Sequence, residues 1–342
     1  MKDLMLSIII PVYNIGPWID RCVESVLPAV PENGEVLLVV GNSFDDSNTR
    51  CETWEKKNAR IKVLHQSGRG LADARNCGVV NSRGTFLLYI DGDDFVDTAQ
   101  LKWLLGQLEN MDSRVQVVMT DYRMTDTSGS LIEEINQIGS QIAFSEDQSL
   151  LLQALKKKKC FWNVWRYLYR WDFLADNKIV FLENTLSEDM DYTTQVFAAQ
   201  PVFAFAHCPF YRYCIGRGDS LMDRPSLKRL EDTVTHCVSG VLRMKETDAP
   251  YVSAFVAQYQ FEYLLNLALC VELPEEDQQA AFALYRATRS VLREGCDGTA
   301  RLFSYILHIC PIPILAETFH ITKMLKRVFK GSHRRTMIEK GY

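Results

Sequence analysis

The stretch Phe86-Leu-Leu-Tyr-Ile90 running into Asp91-Gly92-Asp93-Asp94 decides how this chain is read. Its first five residues form an apolar, aromatic-rich run of strand length, which predicts a buried β-strand. Three carboxylates follow at once, and buried without partners they would cost several kcal/mol. Asp91 and Asp93 lie two apart, so an extended backbone would point both to one side. Gly92 between them would let a ligand approach the main chain closely. Two carboxylates at the carboxyl end of a strand suit a hard divalent cation that keeps waters and takes phosphate oxygens. The plainer reading is an Asp-rich turn capping a helix from Asp97 onward.

Outward from this stretch, strand and helix patterns alternate. Leu6–Val12, Val36–Val40, Ile61–Leu64 and Val115–Met119 read as buried strands. Trp18–Leu27, with Ile19, Cys22, Val23, Val26 and Leu27 on one stripe, reads as a helix, as do Leu71–Val80 and Leu101–Leu108. Such alternation predicts an α/β domain with a mostly parallel sheet covered on both faces. Ligands of open parallel sheets bind beyond the carboxyl ends of the strands, here Tyr13-Asn14, Gly41–Asp46 and Asp91–Asp94. Tyr122–Ile135 then reads as a hairpin around Asp126–Gly129. Cys160–Phe173 is rich in Trp and reads as core before it reads as a sugar-stacking platform. Lys156–Lys159 reads as a solvated helix end, and Ser226 onward as helices with little strand.

Composition sets the outer limits. The 342 residues are 47% hydrophobic and 24% charged, enough apolar material for a sizeable core. A net charge of −5 argues against a nucleic-acid binder, whose domain would be basic. Ten cysteines are scattered singly, which indicates neither a zinc site nor a disulfide framework and suits a reduced, cytoplasmic setting. The N-terminus lacks the pattern of a signal peptide. Leu302–Phe319 is the most apolar window, but His308, Glu317, Pro311 and Pro313 interrupt it as a membrane span. Lys323, Lys326, Arg327, Lys330, Arg334 and Arg335 follow. A basic, amphipathic tail of this kind predicts peripheral contact with the inner face of the plasma membrane; its plainer reading is a helix packed on the domain with a solvated edge.

Four further features line up with Asp91 and Asp93. Pro11-Val12-Tyr13-Asn14 ends the first strand, where an aromatic ring could cover a nucleobase. Gly68-Arg69-Gly70-Leu71-Ala72-Asp73-Ala74-Arg75-Asn76-Cys77-Gly78 is a glycine-rich loop entering a helix, suited to a diphosphate. Ser187-Glu188-Asp189 places carboxylates at a helix start, either as a base or merely as an N-terminal cap. Tyr211–Met222 reads as a cationic aromatic loop, or as an ordinary surface hairpin. In this order, from about Leu6 to Met222, these residues resemble the family 2 inverting glycosyltransferases of GT-A fold, in the capsular and exopolysaccharide branch. Trp165-Arg166-Tyr167-Leu168-Tyr169-Arg170 is similar to that branch's W-N-K-L-Y-R segment, Glu188-Asp189 to its E-D motif, and Tyr211–Ser220 to its Y-Y-Y-R…S loop.

The resemblance implies a Rossmann-like GT-A domain over residues 1–222, with a nucleotide-sugar half at 1–121 and an acceptor half at 122–222. A helical C-terminal region, 223–342, would follow. It implies transfer of a sugar from a nucleotide-diphosphate donor, UDP-linked in most of the family, to a saccharide or lipid-linked acceptor in surface polysaccharide synthesis. Pro11, Val12 and Tyr13 would hold the base, with Asn14, Ser43 and Gly92 in the same donor site, and Arg75 the phosphate or ribose side. Asp91 would lie near ribose and metal, Asp93 would ligate Mn²⁺ or Mg²⁺, and Asp189, beside Glu188, would be the general base. The family's usual V-D-D-G-S is here Val39-Val40-Gly41-Asn42-Ser43. Val40 and Gly41 thus replace two acids expected at base and ribose, which leaves the identity of the base open. Two other readings stand beside this one. A non-catalytic, membrane-associated interaction protein of the same fold would explain the lost acids but not the retained Asp91, Asp93, Glu188 and Asp189. A nucleotidyltransferase would carry a longer glycine-rich, basic signature than Tyr13-Asn14-Ile15-Gly16.

Overall fold

The computed structural model describes residues 4–136, 143–156, 162–216, 225–247, 249 and 251–294. They fall into two compact units, divided between Asp219 and Ser220. The first unit is built on one ten-stranded sheet. Strands β1 (Leu4–Val12), β2 (Gly34–Val40), β3 (Ile61–His65) and β4 (Gly84–Tyr89) lie parallel in the order β3-β2-β1-β4. The apolar runs of β1, β2 and β4 are buried on both faces, as a parallel strand covered by helices requires, while the edge strand β3 buries only Ile61.

Helix α1 (Gly16–Val26) carries Pro17 in its first turn, where its fixed φ suits the helix, and buries Ile19, Cys22, Val23 and Val26 along one stripe. Helix α2 (Ser47–Lys57) was not anticipated: it buries only Ser47 and Cys51, so it has no apolar stripe to read. Helix α3 (Leu71–Asn81) enters from Gly70, whose φ of 89° a residue with a side chain would resist. It packs so tightly that a Cβ on Gly78 would fall 2.4 Å from Ile9.

Beyond the short strand β5 (Phe95–Val96) and helix α4 (Thr98–Leu108), the sheet turns mixed. Asp97 caps α4, accepting from the Gln100 amide, so the capping part of the plainer reading of this stretch holds. Strand β6 (Val117–Thr125) and β7 (Leu131–Ile135) form the expected hairpin, pairing Tyr122 with Ile135. The strand read at Val115–Met119 and the first arm of that hairpin are therefore one element. Strand β8 is Phe144–Ser145, and helix α5 is Ser149–Lys156. Strand β9 (Tyr167–Arg170) lies antiparallel between β4 and β6, and helix α6 (Trp171–Asp176) follows it. Helix α7 (Asp189–Ala198) leads to β10 (Phe203–Cys214), which runs parallel to β6. The loop expected at Tyr211–Ser220 is corrected here: Tyr211–Cys214 belong to β10, and Tyr211 is fully buried. Trp165 stacks on Tyr211 with ring centroids 4.1 Å apart and is core, not an exposed platform.

The second unit contains helices α8 (Leu227–Glu246), α9 (Val252–Leu269) and α10 (Glu275–Thr288), packed around Leu230, Val234, Tyr263, Leu267 and Tyr285. Polar pairs fix their register, the buried Asn266 to Thr233 at 2.9 Å and the buried Tyr263 to the half-buried Thr288 at 2.6 Å. Among the described residues no helix is long and apolar enough to cross a membrane. Leu302–Phe319, the basic tail, Lys157–Lys159 and Arg217–Met222 lie outside the described residues.

Candidate active site

The carboxyl ends of β1, β2, β3 and β4 gather the expected donor-site residues. At the end of β1, Pro11 and Val12 are buried while Tyr13 is 55% exposed. Asn14 takes a left-handed φ of 50°, a conformation Asn tolerates better than most residues. Its amide donates to Ser43 Oγ at 3.2 Å, and its side chain accepts from the Phe44 amide at 2.8 Å. Ser43 therefore ties the β1 and β2 loops together. Phe44 is 89% exposed and meets Tyr13 edge to face. A Cβ on Gly41 would lie 3.1 Å from the Gln66 amide nitrogen and 3.3 Å from the Tyr13 ring. The Gln66 amide and the exposed Tyr13 ring thus stand where the missing acid would have projected. Neither Phe44 nor Gln66 was singled out from the sequence, because a lone aromatic and a lone amide in loops carry no pattern.

The Asp91–Asp94 segment departs from the extended geometry expected of it. β4 ends at Tyr89, and the chain turns at Gly92–Asp93, with the Asp94 amide donating to the Asp91 carbonyl at 3.0 Å. The simple alternation that would set Asp91 and Asp93 on one side does not apply in a turn. Gly92 is needed for packing: a Cβ there would lie 2.4 Å from Ile15 and 3.0 Å from the Pro11 carbonyl. Asp94 is the structural member of the three. It is buried and accepts from Tyr211 Oη at 2.7 Å and the Cys214 amide at 2.8 Å. Burial first, then the charges of Asp93 and Asp91, hold its carboxyl well above the usual range.

Arg75 joins the two halves of the site. It is 1% exposed, and its guanidinium donates to Asp91 Oδ1 at 2.8 Å, Glu188 Oε1 at 2.5 Å and Asp189 Oδ1 at 2.5 Å. Both terminal nitrogens of this residue, expected at the phosphate or ribose side, pair with carboxylates. Ahead of α3 the Gly68 amide donates to the buried Asp73 at 3.0 Å, which ties the glycine-rich loop to the helix. Glu188 and Asp189 do not cap α7, whose N-terminus has no side-chain cap. They turn to Arg75, and Asp189 Oδ2 also accepts from the Val164 amide at 3.2 Å. Beneath them Tyr192 of α7 stacks on Phe181 at 4.0 Å and shares a hydrogen bond with Tyr89 of β4 at 3.0 Å. That aromatic floor fixes where α7 begins.

One guanidinium cannot neutralise three carboxylates. Burial pushes the Asp189 carboxyl up to about 7, with Arg75 opposing this and Glu188 and Asp91 adding to it. For Arg75 burial favours the neutral form, but Asp189, Asp91 and Glu188 more than reverse that and hold it charged. Among the described residues no three His, Cys, Asp or Glu side chains are arranged around a metal position. The acids here converge on Arg75 instead. Asp91 Oδ2 nonetheless accepts from no protein donor among the described residues, and the buried cluster carries more negative than positive charge. A divalent cation held by one or two carboxylates and completed by phosphate oxygens fits that donor set.

Compared with known proteins, residues 7–166 match the model of Glycosyl transferase family 2. These residues form a family 2 glycosyltransferase domain. Two relatives from curated proteins are EpsJ of Bacillus subtilis, named an uncharacterized glycosyltransferase, and GlyG of Streptococcus pneumoniae, named a glycosyltransferase. EpsJ is 29% identical over 194 residues, 56% of each chain. GlyG is 31% identical over 127 residues, 37% of this chain and 42% of that protein. The chain thus spans about half the length of these relatives. Among solved structures, S. aureus TarS 1–349 in complex with UDP-GlcNAc is 18% identical, with a TM-score of 0.67 over 85% of this chain and 81% of that one. The mannosyltransferase PcManGT of Pyrobaculum calidifontis, in complex with GDP-Man and Mn²⁺, is 16% identical, with a TM-score of 0.53 over 92% and 86%. The fold is the expected GT-A arrangement of a curled, mostly parallel sheet flanked by helices, with helices following it.

Proposed function

We propose that this chain is an inverting glycosyltransferase that moves a sugar from a nucleotide-diphosphate donor to a hydroxyl of a saccharide or lipid-linked acceptor in surface polysaccharide synthesis. The observation that carries the reading is the meeting of Asp91, at the end of β4, with Glu188 and Asp189, at the start of α7, on one guanidinium. A carboxylate at the sheet's ligand-binding edge and a carboxylate tuned near neutrality are what donor binding and base catalysis each require.

Pro11, Val12, Tyr13, Asn14 and Ser43 form the base end of the donor site, with the Tyr13 ring as the stacking surface. Gln66 offers both a donor and an acceptor there, so the site is not restricted to uracil by an accept-only carboxylate. UDP remains the leading donor nucleotide, supported by the TarS complex, and the GDP-Man complex of PcManGT keeps guanine in play. Asp91, Gly92 and Asp93 line the diphosphate end, where Asp91 and Asp93 would hold a Mn²⁺ or Mg²⁺ that, when bound, neutralises charge on the leaving group. Asp189 takes the proton of the acceptor hydroxyl as its oxygen bonds to the anomeric carbon. The bond from that carbon to the diphosphate oxygen breaks on the opposite side, and its electron pair leaves with the diphosphate. A single displacement of this kind inverts configuration. Glu188 lies beside the base and shares its cation.

Thermal stability with UDP, GDP and dTDP, each with and without Mn²⁺, tests the donor site. A ligand at a hundred times its dissociation constant stabilises by about 2.7 kcal/mol, a shift of several degrees. A metal-dependent shift with one nucleotide is the expected result and names the base. No shift with any of the three would overturn the transferase reading in favour of a non-catalytic member of the fold. Asp189→Asn should keep that shift while abolishing transfer; unchanged turnover would move the base to Glu188.

A further inference from the structure

We infer that Arg75 is a positioning residue for the transfer step, a strut that holds the base carboxylates of α7 at a set distance from the donor carboxylate of β4. The inference rests on the transferase reading and changes what Arg75 does within it. A phosphate ligand should present its nitrogens to the donor. Arg75 is 1% exposed, and each terminal nitrogen is already in an ion pair with a carboxylate. Its Nε is buried and makes no hydrogen bond among the described residues. Without an intervening cation, a diphosphate brought against this group would face Asp91, Glu188 and Asp189 at the same moment, and like charge gathered in a buried site is repulsive.

The neighbouring residue supports a mechanical role. Asn76 pins α3 to the segment that leads into α7 from both directions. Its side chain donates to the Phe181 carbonyl at 3.0 Å and accepts from the Phe181 amide at 3.0 Å. Arg75 lies over the Phe181 ring at 5.3 Å. Two consecutive residues of one helix turn thus fix the approach to α7, Asn76 through the backbone and Arg75 through the carboxylates. The partners lie more than a hundred residues along the chain from α3, so local structure does not hold them in place. The hydroxyl pair of Tyr89 and Tyr192 joins β4 to α7 deeper in the core, and Arg75 joins them at the level of the reacting groups. In-line displacement needs base and leaving group on opposite sides of one carbon, and displacing a catalytic group by about 1 Å can cost about a hundredfold in rate.

The test compares the full chain with Arg75→Lys, Arg75→Gln and the pair Arg75→Gln/Glu188→Gln. Calorimetry with UDP, GDP and dTDP in Mn²⁺ reads nucleotide affinity. Nucleotide release from UDP-N-acetylglucosamine, UDP-glucose and GDP-mannose reads turnover. Expected for Arg75→Lys is an affinity within about threefold of wild type and a turnover about a hundredfold lower. Arg75→Gln should melt several degrees below wild type, because it leaves three carboxylates together. Adding Glu188→Gln should recover part of that loss while turnover stays low. A tenfold or greater loss of nucleotide affinity in Arg75→Lys, or no recovery in the pair, overturns the strut. Wild type that binds none of the nucleotides overturns the transferase reading instead.

Discussion

Replacing Asp189 by Asn should make the protein progressively more stable than wild type as pH rises, even as it abolishes transfer. In the folded chain this carboxyl is carried from 3.8 to about 7, chiefly by burial. Below pH 3.8 both folded and unfolded forms hold the proton, and the site costs nothing. Between 3.8 and 7 the unfolded chain releases it while the folded chain keeps it, so stability falls with rising pH. Above 7 the loss is complete. At about 1.4 kcal/mol per pH unit the whole loss is on the order of 4 kcal/mol, and the part between pH 5 and pH 8 is roughly 2–3 kcal/mol. Asn cannot titrate, so the variant escapes this loss. Urea unfolding of both proteins at pH 5, 6, 7 and 8, followed by tryptophan fluorescence, measures the difference directly. A stability difference that stays constant within about 0.5 kcal/mol across that range would show that Asp189 keeps an ordinary acidity, and the tuned-base argument would fail. The same proton governs rate: transfer by wild type should climb as pH rises through about 7 and level off above it, because only the ionised carboxylate accepts the acceptor's proton.

Tyr211→Phe removes the hydroxyl that donates to the buried Asp94 at 2.7 Å and accepts from the Asp91 amide, which should destabilise the fold by about 1–3 kcal/mol in chemical denaturation. A loss below that range would mean the hydroxyl does not support the turn. Tyr13→Ala takes away an exposed ring at the base end and should weaken nucleotide binding by about 1–3 kcal/mol, read by calorimetry, with thermal stability unchanged because the ring is not core. Equal affinity would place the base elsewhere. Truncation after Arg301 should release the protein from vesicles containing anionic lipid while leaving the nucleotide-dependent thermal shift intact. Retention on the vesicles by the truncated chain, or no binding by the full chain, would refute the membrane role of the basic tail.

The fold was largely legible in the order of residues. Each of the first four strands is a short, largely apolar run, and α1 and α4 repeat buried positions at helical spacing, while α3 buries Ala72 to Arg75 in succession and is legible from its Ala content. Local pattern is enough where burial is two-sided or one stripe faces the sheet. It failed for α2, which buries two small residues and so leaves no stripe, and for Tyr211–Cys214, whose polar and aromatic mixture looks like a loop until β6 is laid beside it. Composition and motif order likewise pointed to the family, since those signals are one-dimensional. Three things belonged to the tertiary structure alone. The Asp91–Asp94 segment is a turn, so alternation could not say which carboxylates face outward, and only the contacts of Tyr211 and Cys214 single out Asp94 as structural. The acidity of Asp189 depends on charges from α3 and the end of β4, remote in sequence. Arg75 could be read from sequence as a cation near phosphate, but its partners lie up to 114 residues away, and no spacing rule reaches that far. Periodicity reports what a residue's near neighbours do to it; charge and packing across the sheet act through space, and only the folded chain brings those groups within range.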